Sequence, residues 1–105
     1  MDLWFTEKHT DDVNFTIRVK KQLYSKKSYY QEIDVFDTYE FGRVLVLDGF
    51  IMLTEKDEFI YHEMITHIPM AVHPNPENIL VIGAGDGGVV RELSVSFADI
   101  TLLKR

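Results

Sequence analysis

Cysteine is absent from the 105 residues. That excludes a disulfide framework, cysteine-ligated zinc and a thiol nucleophile, and it suits a reducing compartment. Long apolar runs are also missing. None approaches the roughly 20 residues needed to span a bilayer, and the start Met1-Asp2-Leu3-Trp4 lacks the basic and apolar regions of a secretory signal. Positive charge is scarce: 11 Lys and Arg stand against 17 Asp and Glu, a formal net charge of −6. A general nucleic-acid surface is therefore not expected. What is present, 46% hydrophobic and 27% charged residues, is the composition of a folded globular chain. The length suits one domain, or a small domain with part of a second. The expectation is an acidic, cytoplasmic protein without membrane or nucleic-acid partners.

The pattern changes character near Pro74-Asn75-Pro76. Before it, alternation dominates. Val13, Phe15, Ile17 and Val19 are apolar with polar residues between them, the period of a half-buried strand. Ile33 and Val35 alternate with Glu32 and Asp34 and predict a second strand, with Gln31 placed in it. Val44 to Leu47 and Phe50 to Leu53 flank Asp48-Gly49, a pair suited to the positive φ angles of a tight hairpin. Arg18, Lys20, Lys21, Lys26 and Lys27 read as a solvated hairpin edge, with a phosphate-binding patch as the alternative. Thr54 and Asp57 fit a loose capping box for a helix. Ile60, Met64 and Ile68, widened by Phe59 and Ile65, predict its apolar face, and Pro69 is expected to kink or end it.

Ile79 to Ile82 is an unbroken apolar run, as in a parallel-sheet strand covered on both faces. The turn Gly83-Ala84-Gly85-Asp86-Gly87-Gly88 follows at once, then a helix opening at Val89 to Leu93 and a strand at Ile100 to Leu103. This is one β-loop-α-β unit. Two parallel strands cannot cover both faces of Ile79 to Ile82, so either a partner chain covers them or these residues are the front of a longer protein; the latter is the expectation. The predicted fold class is α+β to α/β, a small antiparallel β domain followed by the first β-loop-α-β unit of a methyltransferase-like Rossmann domain. Its expected parts are an amino-terminal β domain over 1–54, a connecting helix and turn over 55–76, and the start of a nucleoside-binding domain over 77–105.

Gly83, Gly85 and Gly88 match G-x-G-x-x-G, and the position between a buried strand and a helix turns a weak pattern into a candidate nucleoside site. Asp86 in that turn is a poor neighbour for a pyrophosphate and a good one for a sulfonium or ammonium group, which points toward S-adenosyl compounds. The bland alternative is a helix cap. His62-Glu63 with His67 imitates a zinc-protease motif, but the histidines are five apart and lie roughly 140° around a helix, so no metal site is expected. His62 follows Tyr61 and lies one turn beyond Glu58, and the three read as one face turned toward a cleft.

Together these residues resemble the spermidine synthases. The resemblance rests on Leu3-Trp4-Phe5-Thr6-Glu7, Ser28-Tyr29-Tyr30-Gln31, Leu47-Asp48-Gly49, Thr54 through Met64, His73 through Pro76, and Ile79 through Gly88 with Val90-Arg91-Glu92. It runs nearly unbroken to Leu93. It implies a polyamine aminopropyltransferase, which moves an aminopropyl group from decarboxylated S-adenosylmethionine to putrescine and leaves spermidine and methylthioadenosine. It implies no cofactor, because the S-adenosyl compound is a co-substrate, and it implies a homodimer or homotetramer. By the same resemblance Gln31 contacts the nucleoside and His62 reaches the amine. Asp86 holds the aminopropyl ammonium, and Tyr61 lines the amine site and helps orient the attacking nitrogen. Gly83, Gly85, Gly87 and Gly88 form the nucleoside loop.

Three departures accompany the resemblance. Ala84 replaces the family's usual glycine, a mild change if its φ is negative. From Ser94 to Asp99 the chain departs from the family helix. Lys104 and Arg105 stand where a carboxylate should bind the ribose. The family's adenine pocket and catalytic aspartate belong further along than Arg105, so this chain by itself is expected to be inactive. Two other readings stay open: a methyltransferase-like module that binds an S-adenosyl ligand without amine chemistry, and a non-catalytic β domain used for assembly.

Overall fold

The computed structural model describes residues 1–94 and 99–103. The expectations for residues 95–98 and for Lys104 and Arg105 fall outside the described residues. The chain divides into two compact units, Met1–Asp57 and Glu58–Arg105.

In the first unit five strands follow one another as antiparallel neighbours: β1 (Leu3–Lys8), β2 (Asn14–Lys27), β3 (Glu32–Thr38), β4 (Gly42–Leu47) and β5 (Phe50–Thr54). The alternation in β2 has its expected effect at Ile17 and Val19, which are buried, while Phe15 stays exposed. Val44 and Val46 of β4 are fully buried and pack with Ile17 against Phe5, Phe36, Phe41 and Ile51. Asp48 and Gly49 take φ of +52° and +83°, as the hairpin pair requires. The Asp48 carboxylate also accepts the Glu32 N–H at 2.8 Å, fixing the turn to the start of β3.

Two features of this unit differ from expectation. β1 is an additional strand. Its continuous run Leu3-Trp4-Phe5 hides the period of two, and pairing with Asn14 to Val19 of β2 makes it a strand. Glu7 of β1 then accepts the Ile51 N–H of β5 at 2.6 Å, where the β4–β5 register shifts, so the sheet curls until its two outer strands meet through a side chain. Gln31 lies in the turn before β3 and not within a strand, because Ser28 organises that turn: its hydroxyl accepts the Tyr30 and Gln31 N–H groups and donates to the Gln31 carbonyl. The basic cluster lies wholly within β2. Beyond Val19 that strand pairs only with β3, so Lys20 to Lys27 form an edge on the other side. Arg18 is tied to Asp2 at 2.9 Å and lies over the Tyr39 ring, 4.4 Å from its centroid.

The second unit holds α1 (Glu58–Val72), β6 (Asn78–Ile82), α2 (Gly88–Ser94) and β7 (Asp99–Leu103), with β6 and β7 parallel and in register from Asn78 opposite Asp99. This is the expected β-loop-α-β unit. α1 departs from the sequence pattern in three ways. It starts at Glu58, and the Thr54 hydroxyl donates to the Asp57 carboxylate at 2.5 Å instead of capping a backbone N–H. It runs through Pro69 to Val72, so the proline does not end the helix, although it removes one backbone donor from the helix interior. Its buried residues are His62 and Thr66, while Ile60, Met64 and Ile68 are exposed. The face that α1 turns toward α2 is the polar one. In β6 only Val81 is buried, and Leu80 and Ile82 are exposed, so one face of the apolar run is covered and not both.

Candidate functional site

β6 ends at Ile82 and the chain turns back into α2 through the glycine loop. Gly83 and Gly87 have φ of +84° and +79°, a region that costs other residues energy, and this explains the glycines there. Ala84 has φ of +54°, so the condition under which its replacement of glycine would be mild, a negative angle, is not met. A left-handed alanine costs about 1–2 kcal/mol, so the departure from glycine is not mild. The loop is closed by the Gly87 N–H, which donates to the Ala84 carbonyl at 3.0 Å. Gly88 is required for a different reason. A β-carbon at that position would fall on the ring of His62, on Cε1, Nε2 and Cδ2.

His62 is 2% exposed, with its imidazole between two carboxylates. Nδ1 lies 2.5 Å from Glu58 Oε2, the i,i+4 spacing on α1, and Nε2 lies 3.3 Å from Asp86 Oδ1. Asp86 Oδ1 also accepts the Gly88 N–H at 2.9 Å. One oxygen of Asp86 is thus committed to the loop and the ring. Oδ2 has no protein partner among the described residues, and the side chain is 31% exposed. Capping and ligand binding are therefore compatible in Asp86, since they draw on different oxygens.

Arg91 of α2, quoted above only as part of the resemblance, joins this cluster. Its guanidinium meets Glu58 with two parallel bonds, Nη1 to Oε1 at 2.9 Å and Nη2 to Oε2 at 3.1 Å, and its Nε donates to Glu92 at 3.0 Å. Glu92 reaches His67 Nε2 at 3.1 Å. Hydrogen bonds from Arg91 first, and His62 second, hold Glu58 below the usual carboxylate range. Those from His67 and Arg91 do the same for Glu92. The same bonds, that to Glu58 foremost, raise the Arg91 guanidinium further. His62 and His67 thus serve separate carboxylates. The i,i+4 step from Glu58 to His62 is legible in sequence, but Arg91 is 33 residues from Glu58 and no local signal pairs them.

The structure turns Glu58 and His62 inward and leaves Tyr61 61% exposed, with its ring at 5.3 Å and 74° to the imidazole. Tyr61 therefore does not share their face. Gln31 belongs to the first unit, half-buried at the Ser28 turn.

Residues 3–55 match the family model described as the spermidine synthase tetramerisation domain, and residues 58–102 match the spermine/spermidine synthase domain. The chain belongs to the spermidine synthase family. Similar proteins named polyamine aminopropyltransferase come from Lachnoclostridium phytofermentans, 68% identical over 94 residues, and Alkaliphilus oremlandii, 65% identical over 94 residues. Each alignment covers 90% of this chain and 33% of the relative, so the chain spans about a third of the length of the curated relatives it matches. Among solved structures, the spermidine synthase of Thermotoga maritima superposes with a TM-score of 0.89 at 44% identity, over 97% of this chain and 37% of that one. A spermidine synthase in complex with the transition state analogue AdoDATO matches with the same values. The spermidine synthase fold expected from sequence, an antiparallel β domain followed by a Rossmann-like start, is the fold observed.

Proposed function

We propose that this sequence contributes the donor-ammonium side of a polyamine aminopropyltransferase site, acting on decarboxylated S-adenosylmethionine and putrescine. The observation that carries the proposal is Asp86: one carboxylate oxygen fixed by Gly88 N–H and His62, the other without a protein partner among the described residues, on a loop that follows a parallel strand. A carboxylate in that position suits an alkylammonium end. The names of the relatives support the reaction class.

In this reading the putrescine nitrogen attacks the propyl carbon bonded to sulfur. A C–N bond forms and the C–S bond breaks, with its electron pair passing to sulfur, which leaves as the neutral thioether of methylthioadenosine. A proton departs from the attacking nitrogen. The sulfonium is its own leaving group, so the chemistry asks the protein for alignment and proton removal and for no resident cofactor. Asp86, with His62 behind it, receives the ammonium end, and Tyr61 orients the acceptor amine. Gln31 meets the nucleoside, and Gly83, Gly85, Gly87 and Gly88 let the backbone approach it. The first unit assembles copies of the protein as a homodimer or homotetramer, a role supported by the description of the family model over residues 3–55. The cytoplasm is the compartment proposed for this biosynthetic step.

The test is Asp86→Asn in this sequence extended with the remainder of the Lachnoclostridium phytofermentans relative. Asparagine keeps an oxygen for the Gly88 N–H and loses the charge. Truncating one partner of a desolvated ion pair costs roughly 2–5 kcal/mol. Even the low end weakens decarboxylated S-adenosylmethionine about thirtyfold relative to methylthioadenosine, which lacks the ammonium. An unchanged ratio of the two dissociation constants refutes the assignment.

A further inference from the structure

The polar contacts around Asp86 continue away from the loop in one direction. Asp86 Oδ1 meets His62 Nε2, His62 Nδ1 meets Glu58 Oε2, and Glu58 is gripped through both its oxygens by Arg91. We propose that Glu58 and Arg91 are positioning residues for Asp86: Arg91 locks the Glu58 carboxylate, Glu58 holds the His62 ring, and the ring with Gly88 N–H fixes Oδ1 so that Oδ2 faces the cationic ligand in one orientation. Three features support this. The imidazole is 2% exposed, so its orientation is set by these partners and not by water. Gly88 packs against the ring so closely that no side chain fits between them, and a displaced ring would move the loop with it. A planar guanidinium bound through two parallel hydrogen bonds also fixes the carboxylate plane, which a single contact does not.

Positioning matters here because a carboxylate has two rotatable bonds and binds a small ammonium through one oxygen. Holding the other oxygen removes that freedom before the ligand arrives, the general benefit of preorganisation. The proposal rests on the reading of Asp86 given above, but its first test does not use the ligand.

The test is Arg91→Met in the full 105-residue chain, read by solvent-exchange NMR of the Gly88 amide, whose hydrogen bond to Asp86 Oδ1 reports the carboxylate orientation. The expected result is exchange faster by at least about tenfold at Gly88, with amides later in α2 changed far less. Arg91→Lys, which keeps the charge without the fork, should fall between. Uniform acceleration across α2 would mean a merely structural ion pair and would overturn the proposal, as would an unchanged Gly88 rate. Should Arg91→Met fail to fold, Glu58→Gln gives the same readout. The wild-type chain supplies a measurement that needs no variant: ring-nitrogen correlation spectra should show a hydrogen on each ring nitrogen of His62, one shared with Glu58 and one directed at Asp86, because both partners only accept, and the absence of either also overturns the proposal. If the Gly88 rate responds but the Asp86→Asn ligand ratio above does not, the positioning network stands and the ammonium assignment falls.

Discussion

Gly88→Ala tests the packing at the centre of the second unit. The added methyl would overlap the His62 ring, and neither backbone nor buried imidazole can yield without breaking a bond. Forcing a methyl into filled space costs typically about 1–3 kcal/mol. Moving the ring from Glu58 and Asp86 leaves buried polar groups unpaired, at about 1–3 kcal/mol more. Alanine's better helix propensity returns at most about 1 kcal/mol at this first helical position. The net is a destabilisation of about 3 kcal/mol, or roughly a hundredfold in the unfolding equilibrium. Urea denaturation followed by circular dichroism measures it, and a cycle with His62→Ala isolates the cause. With the ring gone, Gly88→Ala should cost no more than about 0.5 kcal/mol or become stabilising. An equal cost in both backgrounds would refute the argument, because the loss would then owe nothing to the imidazole.

Ala84→Gly should raise stability by up to about 1 kcal/mol, because glycine adopts the observed +54° φ without the steric penalty, less its greater freedom in the unfolded chain; a thermal midpoint lower than wild type's would contradict this. Acid should weaken the α1–α2 pairing. Glu58 and Glu92 are held below their ordinary value of 4.5, so the unfolded chain takes up protons first, and the stabilisation they give is full above that pH and fades as pH falls through the lowered folded values. The stability gap between wild type and Arg91→Met should therefore narrow in acid, which thermal melts at a series of pH values would show; a constant gap would rule the coupling out.

Local chemistry made much of this protein legible. Asp48-Gly49 named its hairpin because only a few residues tolerate two successive positive φ angles. Ile17 and Val19 named a buried strand face, and the glycine turn after Ile82 named the loop, because each depends on neighbours within a few residues. Tertiary structure decided the rest. Leu3-Trp4-Phe5 became a strand because an edge of β2 was there to pair with. Ala84 went left-handed because the loop around it closes through Gly87. On α1 the apolar stripe at Ile60, Met64 and Ile68 stayed exposed, and His62 and Thr66 were buried instead. Periodicity reports which face of a helix is apolar, but the buried face is the one that meets a partner. Here α2 brings Arg91 and Glu92 to the histidines and Glu58, and the carboxylates of Glu58 and Asp86 satisfy the His62 ring and let it be buried, whereas the buried Thr66 hydroxyl has no hydrogen-bond partner among the described residues. That pairing spans 33 residues, from Glu58 to Arg91, so only the folded chain could make it.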